Sequence, residues 1–196
     1  KSSVRDRIVH HAVFKMLNAV FEPTFIFDSY SCRVDKGTHR AVRRLRVFTS
    51  KIYRTQRQCF VLKCDIRQFF HSINHNILFE VIAKRIKDLD MLWLIKELIE
   101  SFPAKVPWVE ERERESKGCP IGNLTSQLFA NIYLNELDQF IKHRLKVRHY
   151  IRYTDDFVIA HHDSNYLWTI KGTIEEFLAS HLYMELHPRK VSLRKY

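Results

Sequence analysis

Three aspartates carry the chemistry open to this sequence. Asp155 and Asp156 stand side by side in Ile151-Arg152-Tyr153-Thr154-Asp155-Asp156-Phe157-Val158-Ile159-Ala160. Two β-prone apolar runs flank a short polar centre there, the pattern of a tight hairpin. Adjacent carboxylates repel, raising one pKa unless a cation or a proton lies between them. A strand turns successive side chains to opposite faces, so this pair cannot simply chelate one ion together and needs a further carboxylate. Asp is also a common turn residue, and these residues alone leave a plain polar turn equally open. Asp65 closes the β-prone run Cys59-Phe60-Val61-Leu62-Lys63-Cys64-Asp65-Ile66. An acid at the end of a buried strand, just before a helix, sits where α/β folds place active sites. A polar strand terminus is the other reading, but it leaves Phe69 and Phe70 in a connecting turn without a role. Beside the hairpin, this strand would bring Asp65 to Asp155 and Asp156. Three convergent carboxylates without His or Cys suit hard, oxygen-seeking ions such as Mg²⁺. Two such ions about 4 Å apart stabilise the attacking and leaving oxygens of phosphoryl transfer.

The elements that must position these groups follow from periodicity. Residues 4–22 carry Val4, Ile8, Val9, Ala12, Val13, Leu17 and Val20 at helical spacing, stopped by Glu22-Pro23. Thr38 is placed to cap a short helix. After the strand at 59–66, helices are expected from about Asn74 to Lys87 and from Met91 to Phe102, the latter stopped by Pro103. The alternating charges within 105–117 read as a solvated loop or hairpin. Gly118-Cys119-Pro120-Ile121-Gly122 then leads into a long helix capped by Asn123 or Thr125, with a stripe of Leu128, Phe129, Ile132, Tyr133, Leu137, Phe140 and Ile141. A glycine-flanked loop at a helix N-terminus lets an anion approach bare N–H groups, though such loops also occur as plain packing. Gln127 is a polar residue one turn in. A helix over 167–182 and a β-type segment over 184–193 close the chain. Strand, three helices, hairpin, helix and strand predict an α+β fold, an antiparallel sheet with helices packed on one face.

At 196 residues the chain suffices for one domain or two small lobes. Its net charge of +11 favours a polyanion, nucleic acid or an anionic membrane. No run approaches the roughly 18 apolar residues of a membrane span, so no membrane partner is expected, and a cytoplasmic location is the default. From Arg33 to Lys63 basic residues dominate, Arg33 and Arg40 among them, with Asp35 the single acid. A run this one-sided suits a phosphate-tracking surface better than a merely solvated face. The four cysteines lack a C-x-x-C spacing, which argues against zinc or a disulfide framework.

Together these motifs resemble the fingers and palm of a reverse transcriptase. Tyr153-Thr154-Asp155-Asp156 is similar to the Y-x-D-D box. Asp65 with Phe70 resembles the motif of the first metal-binding Asp and the residue that screens the sugar. Gly118 to Asn131 matches the loop-helix between them, and Leu186 to Lys190 resembles a later motif with a lysine. Val4 to Val9 and Asp28 to Arg33 are similar to the fingers of bacterial, group II intron-like enzymes. Ile121-Gly122-Asn123-Leu124-Thr125-Ser126-Gln127 looks most like diversity-generating retroelement enzymes, which copy an RNA repeat with frequent errors. Ile121 stands where many reverse transcriptases place a Gln that contacts the incoming nucleotide.

The resemblance implies a right-hand polymerase palm over 59–196, with fingers-type helices interleaved at 74–117. Partial, mainly helical fingers would occupy 1–58, and no thumb would be present, so that the chain alone would polymerise poorly. Asp65, Asp155 and Asp156, with the Ile66 backbone, would hold two Mg²⁺ ions, for which Mn²⁺ could substitute. Backbone at Ile66 and Arg67, together with Phe69, Phe70, Pro120, Ile121, Gly122 and Gln127, would bind the dNTP. Lys190 would be a general acid, and Arg33, Arg40 and Tyr153 would contact nucleic acid. The implied partners are an RNA template, a DNA or RNA primer, dNTPs and a small accessory protein. A group II intron or defence enzyme, and a non-catalytic nucleic-acid-binding relative, are the other readings.

Overall fold

The structure, a computed structural model, describes residues 4–101, 117–119 and 123–196. The charge run at 110–115 and the loop residues Pro120, Ile121 and Gly122 lie outside the described residues. The chain divides into two compact units, each built from separated stretches. One holds Lys1–Phe25 and Gln68–Asn135, the other Ile26–Arg67 and Glu136–Tyr196. Thus residues 26–58, expected with the fingers, belong to the sheet-bearing unit, because Ser29–Tyr30 joins the sheet and the next helix packs on it.

In the first unit, α1 spans Val4–Phe21 and buries His10, Val13, Leu17 and Phe21. The expected face was different: Val4 and Ile8 are exposed. The helix turns inward along His10 because its ring Nδ1 meets the Thr125 hydroxyl at 2.7 Å, which satisfies a buried polar group. A 3₁₀ turn follows at Glu22–Thr24. Later in this unit come α3 (Phe69–Ser72), α4 (His75–Ala83) and α5 (Leu89–Glu100). Asn74 caps α4 by accepting from Ile77 N, and Asp88 caps α5 by accepting from Met91 N. α6 (Leu124–Gln139), whose residues from Glu136 on belong to the second unit, buries Leu128, Phe129, Ile132, Tyr133 and Leu137, as its spacing predicts. Thr125 lies within this helix and is spent on His10, not on capping.

The second unit is organised on five strands: β1 (Ser29–Tyr30), β2 (Phe60–Asp65), β3 (Tyr150–Tyr153), β4 (Asp156–His161) and β5 (Ser192–Lys195). Their order is β1-β3-β4-β2-β5. All neighbours are antiparallel except β1 and β3, so the sheet is mixed at one edge. The helix expected to be short is the long α2 (Thr38–Gln56), which starts at Gly37 without a side-chain cap. Its Ala41 and Phe48 pack with Tyr30 and Ile151, and its Ile52 packs with Cys59 and Ala160. On the opposite face stand Leu62, Cys64, Phe157 and Ile159, all fully buried, since paired residues share a face and neighbours alternate. Lys171 and Glu175 of α7 (Ser164–His181) act electrostatically on Cys64 from that side. The α+β class therefore holds, with helices on both faces of the sheet.

Candidate active site

β2 and β4 run antiparallel in a register that sets Asp65 directly opposite Asp156. β3 and β4 pair from Tyr153↔Asp156, so Thr154 and Asp155 form a two-residue hairpin loop. Thr154 takes φ 54° and Asp155 has no positive φ, the φ signs of a II′ turn, whose twist suits a hairpin. Asp155 thus sits on the turn, not in the strand, and the alternation expected of adjacent strand residues does not apply to it.

The turn is held from beneath. Arg152, wholly buried, donates from Nη1 to the Thr154 carbonyl at 2.9 Å and from Nη2 to Ser29 Oγ at 3.0 Å. Its Nε and Nη2 bind Asp138 at 2.9 and 2.7 Å, and the Tyr150 hydroxyl donates to Asp138 Oδ1 at 2.7 Å. A buried guanidinium–carboxylate pair survives desolvation only with geometry and extra hydrogen bonds of this kind.

The carboxylates confront one another electrostatically. Burial, then the charges of Asp65 and Asp156, push the Asp155 carboxyl above its ordinary value, against the lowering effect of a backbone hydrogen bond and of Lys190. Lys190 Nζ donates to Asp65 Oδ2 at 3.0 Å, and that bond holds its ammonium above the ordinary lysine value. Lys63 Nζ stands 3.3 Å from Asp156 Oδ1. It is not aligned as a hydrogen bond, so that oxygen, shut from solvent, has no hydrogen-bond donor among the described residues.

Lys190 is delivered by the segment before β5. His187 N donates to Asp65 O at 2.7 Å, Arg67 N donates to Glu185 O at 2.8 Å, and Ile66 bridges Leu186. In such a pair the Ile66 carbonyl points away from Leu186. The Arg67 amide, expected to meet the triphosphate, is instead spent on Glu185. Among the described residues no three His, Cys, Asp or Glu side chains are grouped to hold an ion as they stand. The donor set nevertheless fits a hard cation. It is all oxygen, one buried oxygen lacks a donor, and two lysine ammonium groups stand against the carboxylates as cations.

Phe70 lies in the first unit with the loop that leads to residues 120–122. Cys119 N donates to Phe70 O at 2.7 Å, Gly118 N to Ile73 O at 2.8 Å, and His75 Nε2 lies 2.8 Å from Gly118 O. Phe69 is buried and stacks edge-on against Phe70, which is half-buried. Gln127 is exposed on α6.

The expected nucleic-acid residues have structural partners. Arg33 donates to the Ile26 and Ser29 carbonyls, Arg40 pairs with Asp35 at the surface, and the Tyr153 hydroxyl accepts from Thr38. Sequence reasoning missed Lys63, Asp138 and Arg152. A signal existed for two of them: Lys63 and Arg152 are charges inside otherwise apolar strands.

A strand-end aspartate opposed to a carboxylate-bearing hairpin, on a mixed sheet flanked by helices, defines a polymerase palm. The family model for reverse transcriptase (RNA-dependent DNA polymerase) matches residues 2–195, and the chain belongs to that family. It is 30% identical to the group II intron-encoded protein LtrA of Lactococcus lactis over 139 residues, 69% of this chain and 21% of that protein. It is 28% identical to Protein YkfC of Escherichia coli over 142 residues, 72% of this chain and 36% of that protein. The chain therefore spans about a fifth to a third of these relatives' lengths. Telomerase from Candida tropicalis, in complex with a fragment of telomeric RNA, shares the fold at TM-score 0.63 and 15% identity, over 96% of this chain and 33% of that one. No helix among the described residues is long and apolar enough to cross a membrane.

Proposed function

We propose that this chain is the catalytic core of an RNA-directed DNA polymerase that adds dNTPs to a primer 3′-hydroxyl on an RNA template. The observation that carries it is Asp65 facing Asp156 across paired strands, with Asp155 on the adjoining turn. Asp65, Asp155 and the Ile66 carbonyl would hold Mg²⁺, or Mn²⁺ in its place, with Asp156 adding charge. When bound, two such ions supply Lewis-acid stabilisation of the attacking and leaving oxygens. Lys190, held as an ammonium by Asp65, gives its proton to the departing pyrophosphate. By the resemblance, Phe70 would screen the sugar against a 2′-hydroxyl, favouring dNTP over NTP. Replacing Phe70 with Ala should therefore admit ribonucleotides, read as NTP against dNTP incorporation on one RNA template. Unchanged discrimination would remove that role and favour an RNA-directed RNA polymerase.

The finer reading is error-prone copying of the diversity-generating type, and it rests on Ile121. An aliphatic side chain in place of an amide loosens the geometric check on the nascent base pair. Ile121→Gln should lower misincorporation opposite template adenine, read by sequencing of products; an unchanged error frequency would favour an intron or defence enzyme.

A further inference from the structure

At the end of β4 remote from Asp156, the second unit holds a cavity of about 380 Å³. Five residues of strand, about 17 Å, separate Asp156 from His161, so this cavity is distinct from the carboxylate site. α2 contributes Lys51 and Thr55, the segment before β3 contributes Lys146, Arg148 and His149, and His161, His162 and Tyr166 complete the wall. Not one Asp or Glu is among the residues lining it. Its volume lies within the roughly 300–1000 Å³ of small-ligand sites.

Two features point to one ligand chemistry. The first is a wall rich in cations, with Asp163 acting on His161 from outside the lining. Burial and then the charges of Lys51, Lys142, Arg148 and His161 hold the His149 imidazole below its ordinary pKa, and its ring is pinned edge-on against Phe48 at 4.9 Å. The second is a platform of rings. His161 lies 4.2 Å from His162 and 4.1 Å from Tyr166, centroid to centroid, at mutual angles near 34°. His161 is itself fixed, because Asp163 N donates to its Nδ1 at 3.1 Å. Cations beside an aromatic platform match the phosphate and base of an unpaired nucleotide. An acidic protein would meet the same cations but has no use for the rings.

We propose that this cavity is a second RNA-binding site that takes an unpaired nucleotide of an RNA strand. Its phosphate lies against Lys51, Lys146 and Arg148 and its base on the rings of His161, His162 and Tyr166. The site extends the RNA-handling role proposed above and does not need the carboxylates.

Anisotropy of a labelled twelve-nucleotide oligouridine across a salt series tests it, without nucleotide addition, so failure of the polymerase reading is separately visible. Lys51→Gln with Arg148→Gln should weaken binding about tenfold or more and reduce the log–log salt slope by about 0.7, the share of one phosphate contact on a single strand. His161→Leu with Tyr166→Leu should weaken binding about tenfold and leave the slope unchanged. Thermal unfolding confirms that each variant folds, and His162→Leu alone, expected to weaken binding severalfold, serves should a pair fail to do so. Uridine monophosphate should displace the oligomer at lower concentration than inorganic phosphate. Ring variants that bind as tightly as the parent, or charge variants with an unchanged slope, would overturn the proposal.

Discussion

Lys190 and Asp65 join through one short contact, and the chemistry of each depends on it. The ammonium is exposed, and the bond to the Asp65 carboxylate at 3.0 Å holds it above the ordinary lysine value. A general acid contributes roughly 10²–10⁴-fold. Lys190→Ala should accordingly slow single-turnover nucleotide addition by about 100-fold or more on the proposed reading. Lys190→Arg restores the contact with Asp65 but not an acid of suitable pKa, and should recover only a small part of the rate. An alanine variant as fast as the parent would leave Lys190 as a mere partner of Asp65. Lys63 occupies a different place, with its ammonium 3.3 Å from an Asp156 carboxylate oxygen.

At the scale of elements, the hairpin stands on a buried charge pair. Arg152 and Asp138 are both completely shielded from solvent. Arg152→Met leaves the Asp138 carboxylate buried without a counter-charge, which should cost about 3–5 kcal/mol. The joint change of Asp138→Leu with Arg152→Met should recover most of that, as read from urea unfolding. A single variant within about 1 kcal/mol of the parent would contradict this. The register that sets Asp65 opposite Asp156, beside the turn that carries Asp155, was legible in the sequence, because strand period, turn residues and an acidic strand end all point one way. The foundation beneath it was not. Asp138 lies on a helix face otherwise filled by the Leu134–Leu137 stripe, and nothing local links it to a strand 14 residues on. The buried face of α1 escaped for a similar reason. Counting apolar positions favours Val4 and Ile8, whereas the partner that draws His10 inward is 115 positions away. The length of α2 was missed because it stops at Arg57 in the left-handed conformation, where no glycine or proline marks the end.

The whole molecule carries +11, and its buried and half-buried imidazoles add a dependence on pH. Burial lowers the values of His10, His75, His149 and His161 from the ordinary 6.5. A folded pKa below the unfolded one means that the unfolded chain binds protons first. The stability these groups contribute is therefore complete above pH 6.5 and is lost as pH falls from there through their folded values. The thermal midpoint should drop between pH 7.5 and 5.5, and His75→Gln should flatten that fall. A midpoint independent of pH across this window would contradict the buried, neutral state of these rings. Excess positive charge also makes RNA affinity fall steeply with salt, which fits the proposed partner without identifying it.

Primer extension on an RNA template with dNTPs and Mg²⁺ tests the central claim most directly, comparing the natural-length protein with an Asp155→Ala, Asp156→Ala double variant. Extension by the parent, abolished in a variant that still folds and binds RNA, is the predicted result. Equal extension by both, or none from a folded, RNA-binding parent, would contradict the assignment of these carboxylates to nucleotide addition.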